Sequence, residues 1–317
     1  MQQDIDVLVI GELNPDLILS GDVAPVFGQV EKFIDDATLT LGSSSAICAC
    51  GMARLGLRVA FIGKVGDDML GRFCILQLIA HNVDSTSVVI DPSVKTGLGV
   101  ILSRGVDRAI LTYSGSIGAL RYPEISTRKI AQARHLHMGG YFLLDQLRPD
   151  VPKLFELSHR LGLSVSLDTN YDPTEQWDGG LDAALQHTDI FLPNEAELRA
   201  ITARDHPEPQ DAETGSVILA GRIPTLAVKL GQQGAIAHCQ GHTERAQALA
   251  VEVKDTTGAG DTFDAGFIFG QLKGWSLRRS LQLACVCGSL STRAAGGVDG
   301  QPTLAEALAW LEPESEQ

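Results

Sequence analysis

The chain has 317 residues with 25 basic and 39 acidic side chains, so its net charge is −14. This acidic surplus argues against nucleic acid or an anionic membrane as the main partner, and no apolar run approaches the ~18–20 residues that a membrane helix needs. The six cysteines form no Cys-x-x-Cys pair and the first residues lack a signal-peptide pattern, so we expect a reduced, cytoplasmic protein.

Short apolar segments alternate with helical patterns along most of the chain. The predicted strands cover residues 7–10, 59–62, 135–138, 164–168, 190–192 and 225–229, and the predicted helices cover 45–55, 71–80, 149–161 and 195–202. Repeated strand–helix–strand units predict a parallel sheet covered on both faces. We expect a single α/β domain over residues 1–317, ending in a disordered acidic tail at 312–317.

Two stretches, at about residues 17–41 and 96–113, interrupt this alternation. The β-like runs within them are 18–20, 30–34 and 37–41 in the first stretch, and 98–103 and 109–113, around a Gly-Val-Asp turn, in the second. Runs joined by turn residues predict antiparallel strand pairs. Such pairs are typical either of a small lid over the mouth of a site or of edge hairpins with no moving role, and the pattern alone leaves both open.

Polar residues follow the first predicted strand, at the edge of the sheet where α/β folds bind ligands. Asn14 and Asp16 offer an amide and a carboxylate, which suit sugar hydroxyls; an Asx turn before Pro15 is the alternative. Ser43 and Ser44 precede the helix at 45–55. Their hydroxyls can either contact a ligand or cap that helix.

Later strand ends carry further candidates. Asn194 and Glu197 have the spacing of a capping box, and their oxygens also suit the waters of Mg²⁺, so both roles can hold at once. Gly231 and Gly234 predict a turn after the strand at 225–229. Lys229, the last residue of that strand, either approaches phosphates or points to solvent.

Residues 255–263 read Asp-Thr-Thr-Gly-Ala-Gly-Asp-Thr-Phe, with Asp261 at the start of an apolar helical pattern. Backbone N–H groups at a helix start form an anion site. A carboxylate there would repel an anion, but it is useful if it takes a proton from a hydroxyl that attacks phosphorus. The string therefore indicates phosphoryl transfer to an alcohol; a glycine turn capped by Asp261 is the alternative.

This nine-residue string resembles the C-terminal signature of the ribokinase-like, or PfkB, carbohydrate kinases, and four earlier segments resemble motifs of that family in the expected order. The resemblance implies an α/β three-layer sandwich with a mostly parallel central sheet, and a β-sheet lid built from the two interrupting stretches. It implies an ATP-dependent kinase that uses Mg²⁺ and phosphorylates a primary hydroxyl of a small-molecule sugar. It also allows K⁺ as a cofactor. Exposed lid strands, in turn, favour a homodimer formed through the lid.

The resemblance assigns roles to individual residues. Asp261 is the implied base, and the implied anion hole is formed by the N–H groups of Gly258, Ala259 and Gly260. The residues implied to position the acceptor are Asn14, Asp16, Ser43, Ser44 and Asn170. Those implied to lie against ATP are Asn194, Lys229, Gly231, Gly234 and Gly260. Those implied to hold cations are Asn194 and Glu197 for Mg²⁺ through water, and Asp255 and Thr257 for K⁺.

The chain departs from the family pattern mainly where the acceptor would bind. Ser43 and Ile47 replace a glycine and an asparagine of the N-terminal signature, and Asp172 stands where an arginine is common. The acceptor therefore stays open between a monosaccharide and a sugar acid. A nucleoside kinase, a non-catalytic sugar-binding regulator and a nucleotide-binding oxidoreductase are the alternatives. An aromatic content of 5% disfavours the nucleoside kinase, and retention of the catalytic set disfavours the regulator. The lack of Gly-x-Gly-x-x-Gly after the first strand disfavours the oxidoreductase.

Overall fold

A computed structural model describes residues 3–104, 107–206 and 211–311. The strands are β1 (Ile5–Ile10), β2 (Pro15–Ser20), β3 (Asp36–Leu41), β4 (Val59–Ile62), β5 (Lys64–Gly66), β6 (Val83–Asp84), β7 (Val89–Asp91), β8 (Leu98–Arg104), β9 (Asp107–Tyr113), β10 (Ala133–Met138), β11 (Ser164–Leu167), β12 (Ile190–Phe191), β13 (Thr225–Lys229), β14 (Ala235–Cys239) and β15 (His242–Ala246). The α-helices are α1 (Ser44–Arg54), α2 (Met69–Ala80), α3 (Thr127–Ile130), α4 (Val151–Arg160), α5 (Leu181–Leu185), α6 (Glu195–Ala203), α7 (Ala212–Ala220), α8 (Ala259–Leu272), α9 (Leu277–Ser291) and α10 (Leu304–Leu308).

Nine strands form the central sheet in the order β15-β14-β13-β12-β11-β10-β1-β4-β6. All its neighbours pair in parallel except β13–β14 and β14–β15, which are antiparallel. The chain builds outward from β1 first through β4 and β6, and then returns to build from β10 to the other edge. The order therefore reverses between β1 and β10, and the carboxyl ends of strands at such a switch point form the usual ligand crevice of open α/β sheets.

The core has two apolar layers because β1 alternates its side chains between the two faces of the sheet. Val7 and Val9 lie in the layer that packs α1, α8 and α9, and Leu8 and Ile10 lie in the layer that packs α4 to α7. All four side chains are fully buried. The central sheet therefore has helices on both faces, as the strand–helix alternation predicts.

A separate four-stranded sheet has the order β3-β2-β8-β9. The pairs β2–β3 and β8–β9 are antiparallel, as predicted, and a parallel pair, β2–β8, joins them. The predicted run at 30–34 is wrong as a strand: these residues form an exposed loop, since no neighbouring strand in the described part of the chain pairs with them. Part of the predicted Gly-Val-Asp turn, residues 105–106, lies outside the described residues, as does the predicted tail at 312–317.

The predicted bounds of the main elements agree closely with the structure. Strands β4 and β13 have the predicted limits, and the other predicted strands and helices outside the separate four-stranded sheet differ by one or two residues at an end. The strands β14 and β15 and the short pair β5–β7 were not predicted, because runs of three to five residues carry little periodicity. None of the helices in the described residues has the length and apolarity that a membrane span requires.

Candidate active site

The candidate site lies at the carboxyl ends of the central strands, beside the switch point. At this place the first turn of α8 meets the loops that follow β1, β11, β12 and β13. The four-stranded sheet adjoins the site through β2, which begins at Pro15. Several residues predicted from the sequence, among them Asn14, Asn170 and Asn194, lie in loops that end parallel strands, so their proximity follows from strand order.

The first turn of α1 is organised around a buried carboxylate that the sequence reading did not single out. Glu12, which is 2% exposed, accepts hydrogen bonds from Ser44 Oγ at 2.9 Å and from Ser45 Oγ at 2.6 Å. Ser43 caps α1: its hydroxyl accepts from the Ala46 N–H and donates to the carbonyl of Glu12. Of the two roles considered for these serines, Ser43 has the capping one, whereas Ser44 is bonded to Glu12. Contact of either hydroxyl with an acceptor stays a prediction.

Two polar pairs lie where the acceptor is expected. Asn14 Nδ2 donates to Asp16 Oδ1 at 3.3 Å, and Asn170 Nδ2 donates to Ser44 Oγ at 3.1 Å. Asn170 has a positive φ of 56°, a conformation that Asn tolerates better than most residues. Burial, followed by the charge of Glu12, raises the pKa of Asp16 to about 6. The structure therefore brings together four of the five residues predicted to contact the acceptor as hydrogen-bonded pairs.

The four-stranded sheet reaches this crevice through Asp16 and Arg108. Asp16 lies so close to Gly42 and Gly99 that a Cβ added at either glycine would approach its carboxylate to about 2.2–2.4 Å. Arg108, on β9, donates to Thr257 Oγ1 at 3.1 Å, and its charge acts to lower the pKa of Asp16. This contact joins the outer sheet to the glycine-rich loop. Sequence reasoning missed Arg108, because a single arginine in a β-like run carries no motif.

The glycine-rich segment forms the start of α8. Gly258 is its N-cap with a φ of 73°, and a Cβ there would lie 2.7 Å from Gly297 Cα and 2.9 Å from Ile47 Cγ2. Ile47, which replaces the family's asparagine, thus packs behind this turn. The Ala259 N–H already donates to the Thr256 carbonyl at 3.3 Å. The N–H groups of Gly260 and Asp261 belong to the first turn, where no acceptor exists within the helix.

Asp261 is half-buried in that first turn. Burial, followed by the charge of Asp168, raises its pKa to about 8. Asp261, Asp168 and Asp264 each offer a carboxylate oxygen, and these atoms lie within 4.8 Å of one another. A carboxyl group with a pKa near neutrality, next to free N–H donors, can accept a proton from a hydroxyl held beside it.

A buried lysine lies among these carboxylates. Lys229 Nζ is 2.6 Å from Asp168 Oδ2 and 3.1 Å from both oxygens of Asp264. The side chain does not point to solvent, and a Cβ added at Gly260 would lie 3.7 Å from its Nζ. Sequence reasoning missed Asp264; its spacing of three residues from Asp261, on one helix face, is the signal that was available.

Asn194 and Glu197 form the predicted capping box of α6. The Glu197 N–H donates to Asn194 Oδ1 at 2.9 Å, and the Glu197 carboxylate accepts from the Asn194 N–H at 2.9 Å and from Nδ2 at 2.6 Å. Burial, followed by the charge of Asp168, raises the pKa of Glu197 to about 7. Glu197 is 4% exposed and Asn194 is half-buried. Their amide and carboxylate oxygens are of the type that suits the waters of Mg²⁺, so the cation role stays a prediction beside a confirmed cap.

The remaining predicted residues form turns at the rim. Gly231 and Gly234 bound a tight turn closed by the Leu230 N–H donating to the Gly234 carbonyl at 2.8 Å. Asp255 accepts from the Thr257 N–H and hydroxyl at 2.9 and 2.8 Å, and from the Gly296 N–H at 2.9 Å. Asp172, the departure from the family arginine, accepts from Thr174 and Trp177 within its own loop. The roles of these glycines toward ATP and of Asp255 and Thr257 toward K⁺ stay predictions.

Comparison with known proteins identifies relatives over nearly the whole chain. Residues 4–304 match the family described as "pfkB family carbohydrate kinase". The chain is 27% identical over 315 residues to the 5-dehydro-2-deoxygluconokinase of Geobacillus thermodenitrificans, an alignment covering 96% of this chain and 92% of that protein. It is 30% identical over 256 residues to an uncharacterized sugar kinase of Archaeoglobus fulgidus, which covers 80% of this chain and 98% of the relative.

Solved structures agree on the fold. A putative ribokinase II from E. coli, in complex with ATP and Mg²⁺, has a TM-score of 0.82 at 25% identity, covering 96% of this chain and 98% of that one. The adenosine kinase of Sinorhizobium meliloti has the same TM-score, 0.82, at 24% identity and the same coverage, 96% and 98%. The ribokinase-like fold and the mostly parallel sheet are thereby confirmed.

Proposed function

The chain belongs to the pfkB family of carbohydrate kinases, and we propose that it transfers the γ-phosphoryl group of ATP to a primary hydroxyl of a sugar acid, with Asp261 as the base. The observation that carries the proposal is the position of Asp261. Its carboxyl group lies in the first turn of α8, beside helix N–H donors, and has a pKa of about 8. A group of this kind holds a proton weakly enough to cycle it near neutral pH.

The proposed step has a simple balance. The acceptor oxygen forms a bond to the γ-phosphorus, the bond from that phosphorus to the β–γ bridging oxygen breaks, and the hydroxyl proton passes to Asp261, which leaves ADP and a phosphate ester. The N–H groups of Gly260 and Asp261 face the charge that develops, and each well-placed donor is worth roughly 3–4 kcal/mol. Because the Ala259 N–H is engaged with Thr256, the hole that we propose keeps only Gly260 of the Gly258–Gly260 set that the resemblance implied, and adds Asp261.

ATP and Mg²⁺ are the cofactors of this proposal, supported by the ATP and Mg²⁺ complex of the E. coli neighbour. When bound, Mg²⁺ would place positive charge against the β- and γ-phosphates. Asn194 and Glu197 are the residues that would hold it through water. Asp255 and Thr257 would hold K⁺ if the enzyme uses it, and the Gly231–Gly234 turn would lie beside the nucleotide.

A sugar acid is the preferred acceptor class for two reasons. Several relatives are named 5-dehydro-2-deoxygluconokinase, which act on a sugar acid. The second reason is a cation at the crevice, which an anionic acceptor requires because the carboxylates of Asp16 and Asp261 lie there too. Arg108 supplies a guanidinium near Asp16 and Thr257, and guanidinium pairs with carboxylate through strong, charge-assisted hydrogen bonds.

The experiment is an acceptor panel with Mg-ATP, read as ADP release with and without K⁺. The panel contains 5-dehydro-2-deoxygluconate, 2-keto-3-deoxygluconate, fructose, ribose and adenosine. We expect the acids to be the best acceptors, and D261N to lose turnover by roughly 10³-fold or more while still binding ATP and acceptor. The control is D211N, at an exposed helix N-cap away from the crevice. Near-normal turnover in D261N would refute the assignment of the base.

Arg108 gives the panel a second arm that tests the acceptor class. R108M should lower kcat/KM for acids by roughly 10- to 100-fold, the cost of losing a hydrogen bond to a charged group, and should change the value for neutral sugars by less than about threefold. The matched control is R104M, another exposed arginine of the same sheet, on β8. If R108M lowers kcat/KM for acids and for neutral sugars equally, Arg108 contributes to closure of the sheet over the site and not to recognition of an acid.

A further inference from the structure

We propose that Lys229 is a positioning residue for the base, and not a ligand of ATP: its ammonium is the internal cation that holds Asp168 and Asp264 around Asp261. The inference rests on the proposed function only in taking Asp261 as the base. It reverses the interpretation that the family resemblance suggested, in which Lys229 at the end of β13 lies against the nucleotide.

The contacts of the ammonium carry this inference. A lysine has three N–H donors, and three carboxylate oxygens lie within reach of Nζ: Asp168 Oδ2 at 2.6 Å and the two oxygens of Asp264 at 3.1 Å each. The side chains of Lys229, Asp168 and Asp264 are only 12%, 7% and 1% exposed. All three donors are therefore used inside the protein, and a phosphate could gain Lys229 only by breaking a buried ion pair, which is costly.

Charge balance shows what the ammonium does for its neighbours. Three carboxylates whose oxygens lie within 4.8 Å of one another cannot all be ionised in a buried site, because like charges there repel strongly. Burial opposes the charge of Asp168, but Lys229, the Asp264 side chain and the Asn170 N–H together outweigh it and hold the pKa of Asp168 at about 2. Burial keeps the pKa of Asp264 raised. Asp168 therefore holds its negative charge most firmly, whereas burial favours the protonated forms of Asp264 and Asp261.

Lys229 also acts on Asp261 directly. The field of the ammonium lowers the proton affinity of Asp261, opposing burial and the negative charge of Asp168. Loss of the cation should thus leave the cluster with more protons at neutral pH and make the base harder to ionise. The charged groups that face Asp261 from the surrounding elements are Asp168 after β11, Lys229 on β13, Asp264 on α8, Glu12 after β1 and Glu197 on α6.

The test compares K229M with the wild type in steady-state kinetics over pH, with ATP and the best acceptor varied separately. We expect kcat to fall by roughly 10²-fold, the acid limb of kcat/KM to move upward by about one pH unit or more, and KM for ATP to stay within about threefold. K229R, which keeps a cation, should return the acid limb toward its original pH. K229Q, a polar neutral side chain, provides a second uncharged variant if K229M does not fold.

The matched control is K64M. Lys64 is also buried, at 3% exposure, and pairs with two carboxylates, Asp91 at 3.2 Å and Glu124 at 2.7 Å, but it lies in the β5–β7 sheet. K64M should lower thermal stability without moving the acid limb. A rise of about tenfold in KM for ATP in K229M or K229Q with an unmoved acid limb would overturn the inference in favour of a nucleotide ligand.

Two further outcomes are also decisive. An acid limb that stays in place in K229M, K229Q and K64M alike, with comparable losses of kcat, would reduce Lys229 to a structural residue and overturn the inference. Failure of the proposed function is seen separately, in the wild type, as absence of ADP release with every acceptor or as full turnover in D261N. The Lys229 variants therefore test the positioning role alone.

Discussion

At the residue scale, Asp261 is subject to opposed electrostatic effects. The positive end of α8 favours its ionised form, whereas burial and the neighbouring Asp168 disfavour it and raise its pKa to about 8. A base must be ionised to accept a proton, so activity is expected to fall as pH drops below this value. The same raised pKa has a consequence for stability that does not depend on any substrate.

We predict that D261N makes the protein more stable at alkaline pH. Between the ordinary pKa of 3.8 and the folded value of about 8, the folded state binds more protons than the unfolded state, so the stability contributed by Asp261 is complete at low pH and is lost as pH rises through about 8. The amide stays neutral and avoids this loss. Urea unfolding should give D261N a free energy of unfolding at least ~1 kcal/mol above that of the wild type at pH 9, and nearly the same value at pH 4. An increase that is equal at both pH values would contradict the explanation.

At the scale of elements, the start of α8 depends on a turn that only glycine fits. Gly258 has a φ of 73°, and Gly297 and Ile47 lie where its Cβ would be. This close packing gives a physical reason for the isoleucine at position 47, which packs against the turn. The turn sets the direction of the Gly260 and Asp261 N–H groups, so its geometry links local conformation to the anion hole.

We predict that G258A lowers turnover by roughly 10²-fold, through displaced N–H donors, and lowers the free energy of unfolding by about 1–3 kcal/mol. The matched control is G162A. Gly162 also has a positive φ, of 85°, but no atoms lie within 4 Å of a Cβ added there. G162A should therefore lower the free energy of unfolding by about 1 kcal/mol and leave turnover unchanged. Equal turnover in the two variants would mean that the turn does not shape the site.

At the scale of the whole molecule, the outer four-stranded sheet leaves apolar side chains in solvent. Leu111 and Tyr113 lie on one face of the edge strand β9 and are 61% and 53% exposed. Exposed apolar patches and open strand edges are typical of interaction surfaces. We therefore propose a homodimer in which a second copy covers this sheet, the assembly expected from exposed lid strands.

We predict that the wild type is a dimer by light scattering after size exclusion and that L111E is a monomer, because a buried carboxylate would lack a partner. L76E is the control, since Leu76 is similarly exposed, at 63%, but lies on α2. The proposed dimer would be refuted if the wild type stays monomeric at high concentration, or if L76E dissociates the dimer as much as L111E does.

The sequence by itself determined the class of chemistry and the main elements. Residues 255–263 are contiguous, and the contacts that shape a helix start come from near neighbours, so a local string is enough to indicate an anion site beside Asp261. The alternating pattern predicted the following elements within one or two residues: β1, β4, β10, β11, β12, β13, α1, α2, α4 and α6. This succeeded because the period of the apolar residues reflects which faces of a strand or helix are buried.

Only the tertiary structure decided how the charges of the site are paired. Lys229 finds its partners 61 and 35 residues away, Glu12 meets Ser44 and Ser45 32 and 33 residues away, and β2 joins β8 in parallel. Each of these contacts depends on which strand ends lie side by side once the order reverses between β1 and β10. Electrostatic pairing in a buried site follows distance in space, and spacing along the chain does not contain that distance.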